Sequence, residues 1–305
     1  MSTSHTLLHE LTHLLSSSDS HGEASAIARV LLEEGLGWDV LRVFTGKDTD
    51  LSVEDRARLR DFVHRLQNGR EPVQYVLGYA PFCHRRFRVR RGVLIPRPET
   101  ELLVELVLSD GFPPREDAHR LLDVGTGSGC IAVSLALSLP DAQVEAWDIS
   151  ADALAVAEEN ARLLGAKVRF RRCDMQEEAE RESRGKGEKE GLESAKDADD
   201  SVRYSALVSN PPYILPSERA EMDEKVCRWE PQEALFVPES DPLRPYRALC
   251  RIGRKRLICG GRIYMEINPL LASETEALLK QEGYGEVRIL TDFAGKQRFI
   301  QGTSI

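Results

Sequence analysis

The sequence predicts an α/β protein in which a largely parallel sheet, covered by helices, follows a small helical domain. Two patterns support this fold class. From residue 120 onward, short apolar segments of strand length alternate with helical segments, which is typical of a parallel sheet with helices on both faces. Before residue 73, apolar residues recur at helical spacing. The length of 305 residues fits about two domains of average size.

The first 72 residues are predicted to form a helical bundle joined by short turns. The leucines of the first segment have helical spacing: Leu7, Leu8, Leu11, Leu14 and Leu15. Ser52 is a predicted N-cap, with Asp55 three residues later, and Asn68-Gly69 ends the helix that follows. We therefore expect residues 1–72 to be a separate helical domain.

Residues 73–96 change in character and are predicted to form a β-hairpin linker, because Phe87 and Val89 alternate with arginines. Residues 97–305 then hold the predicted sheet domain. Its strands are expected at 121–124, 144–147, 168–171, 205–209, 262–267, 287–290 and 298–301. Its helices are expected at 99–109, 130–139, 151–164, 246–257 and 269–281.

One segment of the sheet domain differs from the rest in composition. Residues 176–203 hold ten acidic and six basic residues among 28, and their only large apolar side chains are Leu192 and Val202. Such a segment buries too little apolar surface to offset the entropy of ordering it. The sequence therefore predicts a disordered charged insertion between the third and fourth strands of the sheet.

Charge and cysteine content exclude several classes of protein. The formal net charge of −9 disfavours binding to bulk nucleic acid or to an anionic membrane surface. No apolar run approaches the roughly 18 residues of a membrane span, and the first 15 residues do not resemble a secretory signal. The six cysteines form no C-x-x-C pair. We therefore expect reduced thiols, no metal site and a cytoplasmic protein.

A glycine-rich turn between the first strand and its helix is the first candidate site. It reads Asp123-Val124-Gly125-Thr126-Gly127-Ser128-Gly129, and glycines at such a turn let the backbone approach a ligand closely. Asp148 ends the second strand, 23 residues after Gly125, where a carboxylate can accept both hydroxyls of a ribose. Asp174 ends the third strand, within reach of an adenine edge. Together these residues favour a nucleoside cofactor over a generic tight turn.

The second candidate site is Asn210-Pro211-Pro212-Tyr213, which follows the fourth strand. Two successive prolines fix the backbone and remove two N–H donors, so carbonyl oxygens are left as acceptors beside the Asn210 side chain. A planar amine would find two acceptors and an aromatic wall in one place. The alternative is a rigid Pro-Pro turn with Tyr213 merely packed.

With these motifs the sequence resembles the release-factor glutamine methyltransferases, the PrmC/HemK family. The similar stretches run over nearly the whole chain: residues 71–75 (EPVQY), 92–101 (GVLIPRPETE), 122–131 (LDVGTGSGCI), 148–150 (DIS), 208–214 (VSNPPYI), 230–231 (EP) and 234–236 (ALF). The resemblance implies a class I S-adenosylmethionine-dependent methyltransferase domain, Rossmann-like, with a mostly parallel sheet and an antiparallel C-terminal strand. It also implies that the helical domain binds a protein substrate.

The resemblance further implies what the site residues do. Gly125, Thr126, Gly127, Ser128 and Gly129 would lie along the methionine part of S-adenosylmethionine, Asp148 at the ribose, and Asp174 with Met175 at the adenine. Asn210, Pro211, Pro212 and Tyr213 would hold the side-chain amide of the glutamine in the Gly-Gly-Gln motif of a peptide chain release factor, whose N5 nitrogen is methylated. Methylation of an adenine amino group and a non-catalytic cofactor-binding scaffold are the alternatives. The net charge argues against the first, and the three intact motifs argue against the second.

Overall fold

The computed structural model of the chain describes residues 4–16, 19–39, 41, 43, 51–113, 118–184 and 202–305. The chain divides into two compact units. The first unit contains Met1–Tyr79, Val89–Arg91 and Asp223–Trp229. The second unit contains Ala80–Arg88, Gly92–Met222 and Glu230–Ile305.

Helices build the described part of the first unit. These are α1 (Ser4–Leu15), α2 (His21–Val30), α3 (Val53–Gln67), α4 (Val73–Leu77) and α9 (Glu224–Trp229), and a π-helical turn at Leu31–Gly35 continues α2. The Ser52 hydroxyl accepts a hydrogen bond from the Asp55 backbone N–H at 3.0 Å, which confirms Ser52 as the N-cap of α3. The core of this unit is apolar and includes Leu11, Leu15, Leu31 and Leu32.

The second unit is built around a seven-stranded sheet. A separate two-stranded sheet pairs β1 (Tyr79–Phe82) with β2 (Arg85–Arg88). The large sheet contains β3 (Arg120–Val124), β4 (Gln143–Asp148), β5 (Val168–Arg172), β6 (Tyr204–Ser209), β7 (Leu257–Glu266), β8 (Tyr284–Thr291) and β9 (Gln297–Ser304). Its strand order is β5-β4-β3-β6-β7-β9-β8.

Most neighbouring strands of the large sheet are parallel, as predicted. β3 pairs in parallel with β4 and β6, β4 with β5, and β6 with β7, whereas β9 is antiparallel to both β7 and β8. The carboxyl ends of β3, β4, β5 and β6 therefore meet at one edge of the sheet. In open α/β sheets this edge is where ligands bind.

Helices cover both faces of the large sheet. They are α5 (Glu101–Asp110), α6 (Cys130–Ser138), α7 (Ala151–Leu164), α8 (Met175–Arg184), α11 (Arg244–Arg256) and α12 (Ala272–Gln281), and the short helix α10 (Gln232–Leu235) stands in the segment between β6 and α11. Successive strand residues point to opposite faces, so Leu121 packs in one apolar cluster with α5, α6 and α7, and Leu122 packs in the other with α11 and α12. Burial on both faces explains why these strands are almost continuously apolar.

The predicted linker differs in detail from the structure. Its first part, Val73–Leu77, is the helix α4, which Gly78 ends with a left-handed φ of 79°. The hairpin is restricted to β1 and β2, where Phe82 and Phe87 pack edge to face with their ring centroids 5.9 Å apart. The boundary between a helical domain at 1–72 and a sheet domain at 97–305 stays a prediction.

The predicted disorder of 176–203 is wrong at its start. Residues 175–184 form the helix α8, in which Glu178 and Ala179 are 4% and 3% exposed. Glu178 accepts hydrogen bonds from Arg171 of β5 and Arg256 of α11, each at 3.1 Å. The composition of residues 176–203 does not predict this helix, because the side chains that stabilise it belong to other parts of the sequence. Residues 185–201 of the predicted insertion lie outside the described residues.

Candidate active site

A cavity of about 350 Å³ opens at the edge where the carboxyl ends of β3, β4, β5 and β6 meet. Among the predicted site residues, those that line it are Gly125, Gly127, Asp148, Asp174, Met175, Asn210 and Pro212. The two candidate sites are therefore walls of one cavity. Further walls come from residues to which the sequence analysis assigned no role, among them Gly92, Val93, Leu94, Ile149, Glu233, Val237 and Arg244.

The three glycines of the turn after β3 differ in their surroundings. Gly125 and Gly127 have φ values of +75° and +56°, and an added side chain would meet no atom within 4 Å at either position. At Gly129 a side chain would lie 2.9 Å from the methyl group of Ala157 in α7. Gly125 and Gly127 thus leave open space for a ligand at the backbone, whereas Gly129 allows close packing of the turn against α7.

The two hydroxyl residues of the glycine-rich turn are buried and, in the described part of the chain, do not line the cavity. Thr126 donates its hydroxyl hydrogen to Asp123 Oδ2 at 2.7 Å, and the Ala132 backbone N–H donates to the same oxygen at 3.1 Å. The Ser128 carbonyl accepts a hydrogen bond from the Asn160 side chain at 2.8 Å. These bonds hold the shape of the turn. Burial raises the pKa of Asp123 to about 7.

Asp148 is the carboxylate at the end of β4, and it faces the cavity next to the glycine-rich turn. Its Oδ2 accepts from the Gly127 backbone N–H at 2.8 Å, and its Oδ1 accepts from the Ser150 N–H at 2.9 Å. Burial raises the pKa of Asp148, while the two backbone bonds act in the opposite direction. Each carboxylate oxygen keeps lone-pair capacity for a further donor, such as a ligand hydroxyl.

Asp174 and Met175 lie where β5 leads into α8. Asp174 Oδ1 accepts a hydrogen bond from the Gln176 N–H at 2.7 Å, which closes the first turn of the helix. Met175 lines the cavity and also packs against the apolar cluster beneath α11. The helix α8 therefore fixes the position of both residues.

The Asn210–Tyr213 segment contributes to the cavity in part. Asn210 and Pro212 line it, whereas Pro211 and Tyr213 are not among its described lining residues. Tyr213 donates its hydroxyl hydrogen to Glu266 Oε1 at 2.9 Å, and its carbonyl accepts from the Asn268 side chain at 3.0 Å. The wall role of Tyr213 stays a prediction, and its observed contacts hold the turn in place.

Sequence reasoning missed two residues that contact this segment. Asn210 donates from Nδ2 to Thr100 Oγ1 at 3.1 Å, and Thr100 donates to Glu266 Oε2 at 2.8 Å. Thr100 and Glu266 are each 1% exposed. Glu266 ends β7 just as Asp148 ends β4, so an acidic residue at the carboxyl end of a predicted strand was an available signal.

A further buried carboxylate, Glu230, joins two loops near the cavity. Its Oε1 accepts from Arg97 at 2.6 Å, and its Oε2 accepts from the Ile95 backbone N–H at 3.1 Å. Both partners lie just after the cavity-lining residues 92–94, and Pro231 next to Glu230 lines the cavity as well. The resemblance contained these stretches but could not show that they pair.

In ranges 4–16, 19–39, 51–113, 118–184 and 202–305, no three His, Cys, Asp or Glu side chains are grouped so that they could hold a metal ion. No helix within the described part of the chain combines the length and the apolar character needed to cross a membrane.

Comparison with known proteins identifies the family. The chain matches the family model described as "PrmC N-terminal domain" over residues 6–78 and the one described as "Methyltransferase small domain" over residues 98–184. It is 43% identical to a release factor glutamine methyltransferase of Bacteroides thetaiotaomicron, covering 91% of this chain and 92% of that protein. The corresponding protein of Bordetella pertussis is 39% identical, covering 90% and 93%.

Among solved structures, a methyltransferase from Pyrococcus furiosus is similar at a TM-score of 0.48 and 13% identity, covering 83% of this chain and 100% of that one. The two curated relatives share more than a third of their residues with this chain over nearly its whole length. The sheet order, the helical N-terminal segment and the cavity at the carboxyl edge agree with a methyltransferase fold. The chain belongs to the release factor glutamine methyltransferase family.

Proposed function

We propose that the chain transfers a methyl group from S-adenosylmethionine to the side-chain amide nitrogen, N5, of the glutamine in the Gly-Gly-Gln motif of peptide chain release factors. The observation that carries this proposal is the direction of the Asn210 amide. Its Nδ2 is bonded to Thr100, so its Oδ1 is left as an acceptor on a residue that lines the cavity. An acceptor there suits a substrate that presents N–H groups.

The cavity residues fit S-adenosylmethionine. Gly125 and Gly127 leave the backbone accessible, and Asp148 offers carboxylate oxygens to hydroxyl groups. We assign residues 125–129 to the methionine part of the cofactor, Asp148 to the ribose, and Asp174 with Met175 to the adenine. When bound, S-adenosylmethionine supplies a methyl group made electrophilic by a positively charged sulfur.

The chemical difficulty of the reaction lies in the amide nitrogen, whose lone pair is delocalised into its carbonyl group. We assign Asn210 Oδ1 and the Pro211 carbonyl to accept hydrogen bonds from the two amide N–H groups. Acceptors placed this way favour a pyramidal nitrogen and stabilise the positive charge that develops there. Pro212, and Tyr213 as a side wall, would restrict the amide to one orientation. A nitrogen that has gained positive charge loses its proton readily, so no strong base is required.

We further assign the helical residues 1–72 to binding the release factor. Free glutamine offers little contact beyond the amide itself, so a small molecule would be oriented weakly. An intact release factor can contribute binding energy at a distance from the reacting nitrogen, which holds the amide in place. The names of the curated relatives support this substrate, and the net charge of −9 argues against nucleic acid as the alternative.

The test is methyl transfer to purified release factor, followed by mass spectrometry of the peptide that contains the Gly-Gly-Gln motif. We expect one added methyl group on the glutamine side chain. The control substrates are a release factor with that glutamine replaced by alanine, a short Gly-Gly-Gln peptide, and RNA. Equal rates on the peptide and the intact factor, or methyl groups on RNA, would overturn the proposal.

A further inference from the structure

We propose that Glu266 is a positioning residue that acts through Thr100 to fix which end of the Asn210 side-chain amide faces the substrate. The inference deepens the proposed function and rests on its assignment of Asn210 as an amide acceptor. An asparagine amide has an oxygen at one position and an NH₂ group at the other, and a rotation of 180° exchanges them. Only one orientation places the oxygen in the cavity.

Glu266 sets the direction of the hydrogen bonds because an ionised carboxylate can only accept. Both hydroxyl groups that contact it must point their hydrogens at it: Thr100 at 2.8 Å and Tyr213 at 2.9 Å. Thr100 has then used its only hydrogen and presents lone pairs to Asn210. Asn210 must therefore donate to Thr100 from its NH₂ group, and the observed distance from Nδ2 to Thr100 Oγ1 is 3.1 Å. The relay runs from Asn210 through Thr100 to Glu266.

Burial of the relay residues fixes the direction of their hydrogen bonds. Glu266 and Thr100 are each 1% exposed, so water has little access to them and cannot readily replace a misdirected bond. Burial raises the pKa of Glu266, whereas the two hydroxyl donors and the Arg298 guanidinium, 4.0 Å from Oε1, act in the opposite direction and favour the charged carboxylate. A reversed Asn210 would point its side-chain oxygen at the lone pairs of Thr100 Oγ1, and the two could form a hydrogen bond only if the Thr100 hydroxyl turned its hydrogen away from Glu266.

Reversal of Asn210 would have a chemical consequence at the cavity. An NH₂ group there would face the N–H groups of the substrate amide, so a donor would meet a donor and no hydrogen bond would form. The transition state would then lose the acceptor that stabilises positive charge on the nitrogen. Glu266 touches neither the substrate nor the reacting atoms in this scheme, so it acts through the residues that it holds: Asn210, by way of Thr100, for the direction of the amide, and Tyr213 for the position of the side wall.

The test uses isosteric substitutions along the relay. Glu266→Gln introduces an NH₂ group beside the two hydroxyls, and Thr100→Val removes the hydroxyl while keeping the branched shape. We expect both to lower kcat for methylation of release factor by about tenfold or more. The KM for release factor and the Kd for S-adenosylmethionine should stay within about twofold, because neither depends on the direction of one amide.

Two variants separate positioning from general loss of structure. Thr100→Ser keeps the hydroxyl and should retain kcat within about threefold of the unmodified protein. Tyr264→Phe removes a hydroxyl from β7, the strand that also carries Glu266. The Tyr264 hydroxyl donates to Asp110 at 3.0 Å and takes no part in the relay, so this variant should leave kcat unchanged. A loss in Thr100→Ser as large as in Thr100→Val, or a loss of cofactor binding in step with kcat, overturns the inference.

A double-mutant experiment distinguishes failure of this inference from failure of the proposed function. In an Asn210→Ala background, measured under single turnover with excess enzyme, Glu266→Gln should lower the rate by less than about twofold. If Asn210→Ala alone leaves transfer intact, the proposed role of Asn210 is wrong. If Asn210→Ala is slow and Glu266→Gln still lowers the rate by its full factor, Asn210 keeps its role and the relay is wrong.

Discussion

The two sides of the cavity are built in different ways. The side that we assign to the cofactor, here the cofactor side, is formed by Gly125, Gly127, Asp148, Asp174 and Met175, and it is shaped largely by backbone groups at most 21 positions from the side chains that they hold. The side that we assign to the substrate amide, here the amide side, is formed by Asn210 with Thr100 and Glu266, and it depends on side chains 56 to 166 positions apart. On the first side the carboxylates are held by main-chain N–H groups. On the second side each group is held by another side chain.

This difference affects how tolerant each side is of change. A backbone N–H always donates, so the orientation of Asp148 survives most substitutions of its neighbours. A hydroxyl or an amide can reverse its direction, so the orientation of Asn210 depends on every member of the relay. We therefore expect changes on the cofactor side to alter affinity, and single-atom changes on the amide side to alter the rate of the chemical step.

The largest expected effect concerns the support beneath the cofactor side. Arg256, 2% exposed, donates to Glu178 at 3.1 Å and to Glu182 at 2.6 Å of α8, the helix that begins at Met175. Arg256→Ala would leave Glu178 with only the more exposed Arg171 and Arg181, so we expect a loss of about 3 kcal/mol in the free energy of unfolding, the low end for breaking a buried ion pair. Denaturant unfolding measures it.

Arg181 is the matched control for this prediction, because it contacts the same carboxylate from a side chain that is 45% exposed. Arg181→Ala should cost under about 1 kcal/mol. Equal losses for the two arginines would mean that burial is not what makes this ion pair important, and that α8 is held by other contacts.

The second prediction concerns the amide side. Asn210→Ala should slow methyl transfer about a hundredfold or more, which corresponds to about 2.7 kcal/mol in the activation free energy. The acceptor is needed mainly when charge develops on the substrate nitrogen, so S-adenosylmethionine should bind almost as well as before. Single-turnover kinetics and calorimetry measure the two quantities. Parallel losses in both would contradict a division between the two sides.

The third prediction concerns the cofactor side, where a substitution should lower cofactor affinity and leave the rate of methyl transfer nearly unchanged. Asp148→Asn removes the charged acceptor of the cofactor side and places an NH₂ group against one of its two backbone donors. We expect the binding free energy of S-adenosylmethionine to weaken by about 1.5–3 kcal/mol, which raises its Kd roughly ten- to hundredfold. At saturating cofactor kcat should change little. A reduced kcat that added cofactor does not restore would show that Asp148 acts in the chemical step.

The same difference decides what the sequence can predict. The glycine-rich turn, Asp148 and Asp174 each belong to a short strand-to-helix pattern. Because the carboxyl ends of neighbouring parallel strands meet at one edge of the sheet, these residues are expected to lie close together. The sheet itself was predictable because buried strands read as apolar runs. Thr100 and Glu266 carry no local pattern that connects them, and only the packing of the turn before α5 against the end of β7 brings them together. Long-range side-chain contacts of this kind do not show in periodicity.

The helix α8 illustrates a second limit. Its charged composition predicts disorder, because a segment with few apolar residues gains little from burial. The structure compensates the buried charge of Glu178 with Arg171 of β5 and Arg256 of α11. The composition of a segment shows only its own charges. It does not show the opposite charges from other parts of the sequence that pair with them in the folded chain.

The smallest expected effect compares two buried carboxylates, one beneath each side. Glu266 accepts from two hydroxyls, with Arg298 nearby, whereas Asp123 accepts at Oδ2 only, and its buried Oδ1 has no partner among the described residues. Burial raises the pKa of both carboxylates, and for Asp123 it does so to about 7 from 3.8, whereas for Glu266 the two hydroxyls and Arg298 oppose the rise. The folded chain thus binds a proton that the unfolded chain releases, and this stabilisation is fully present below about pH 4 and is lost as the pH rises through 7.

Asp123→Asn cannot ionise, and it keeps an acceptor for Thr126 and Ala132. Between pH 6 and pH 8 the unmodified chain should therefore lose about 1 kcal/mol of unfolding free energy relative to this variant. Urea unfolding of both proteins at the two pH values measures the difference. Parallel pH dependences would show that Asp123 titrates outside this window. A loss confined to the unmodified chain would mean that the turn beneath the cofactor side responds to pH near neutrality through Asp123.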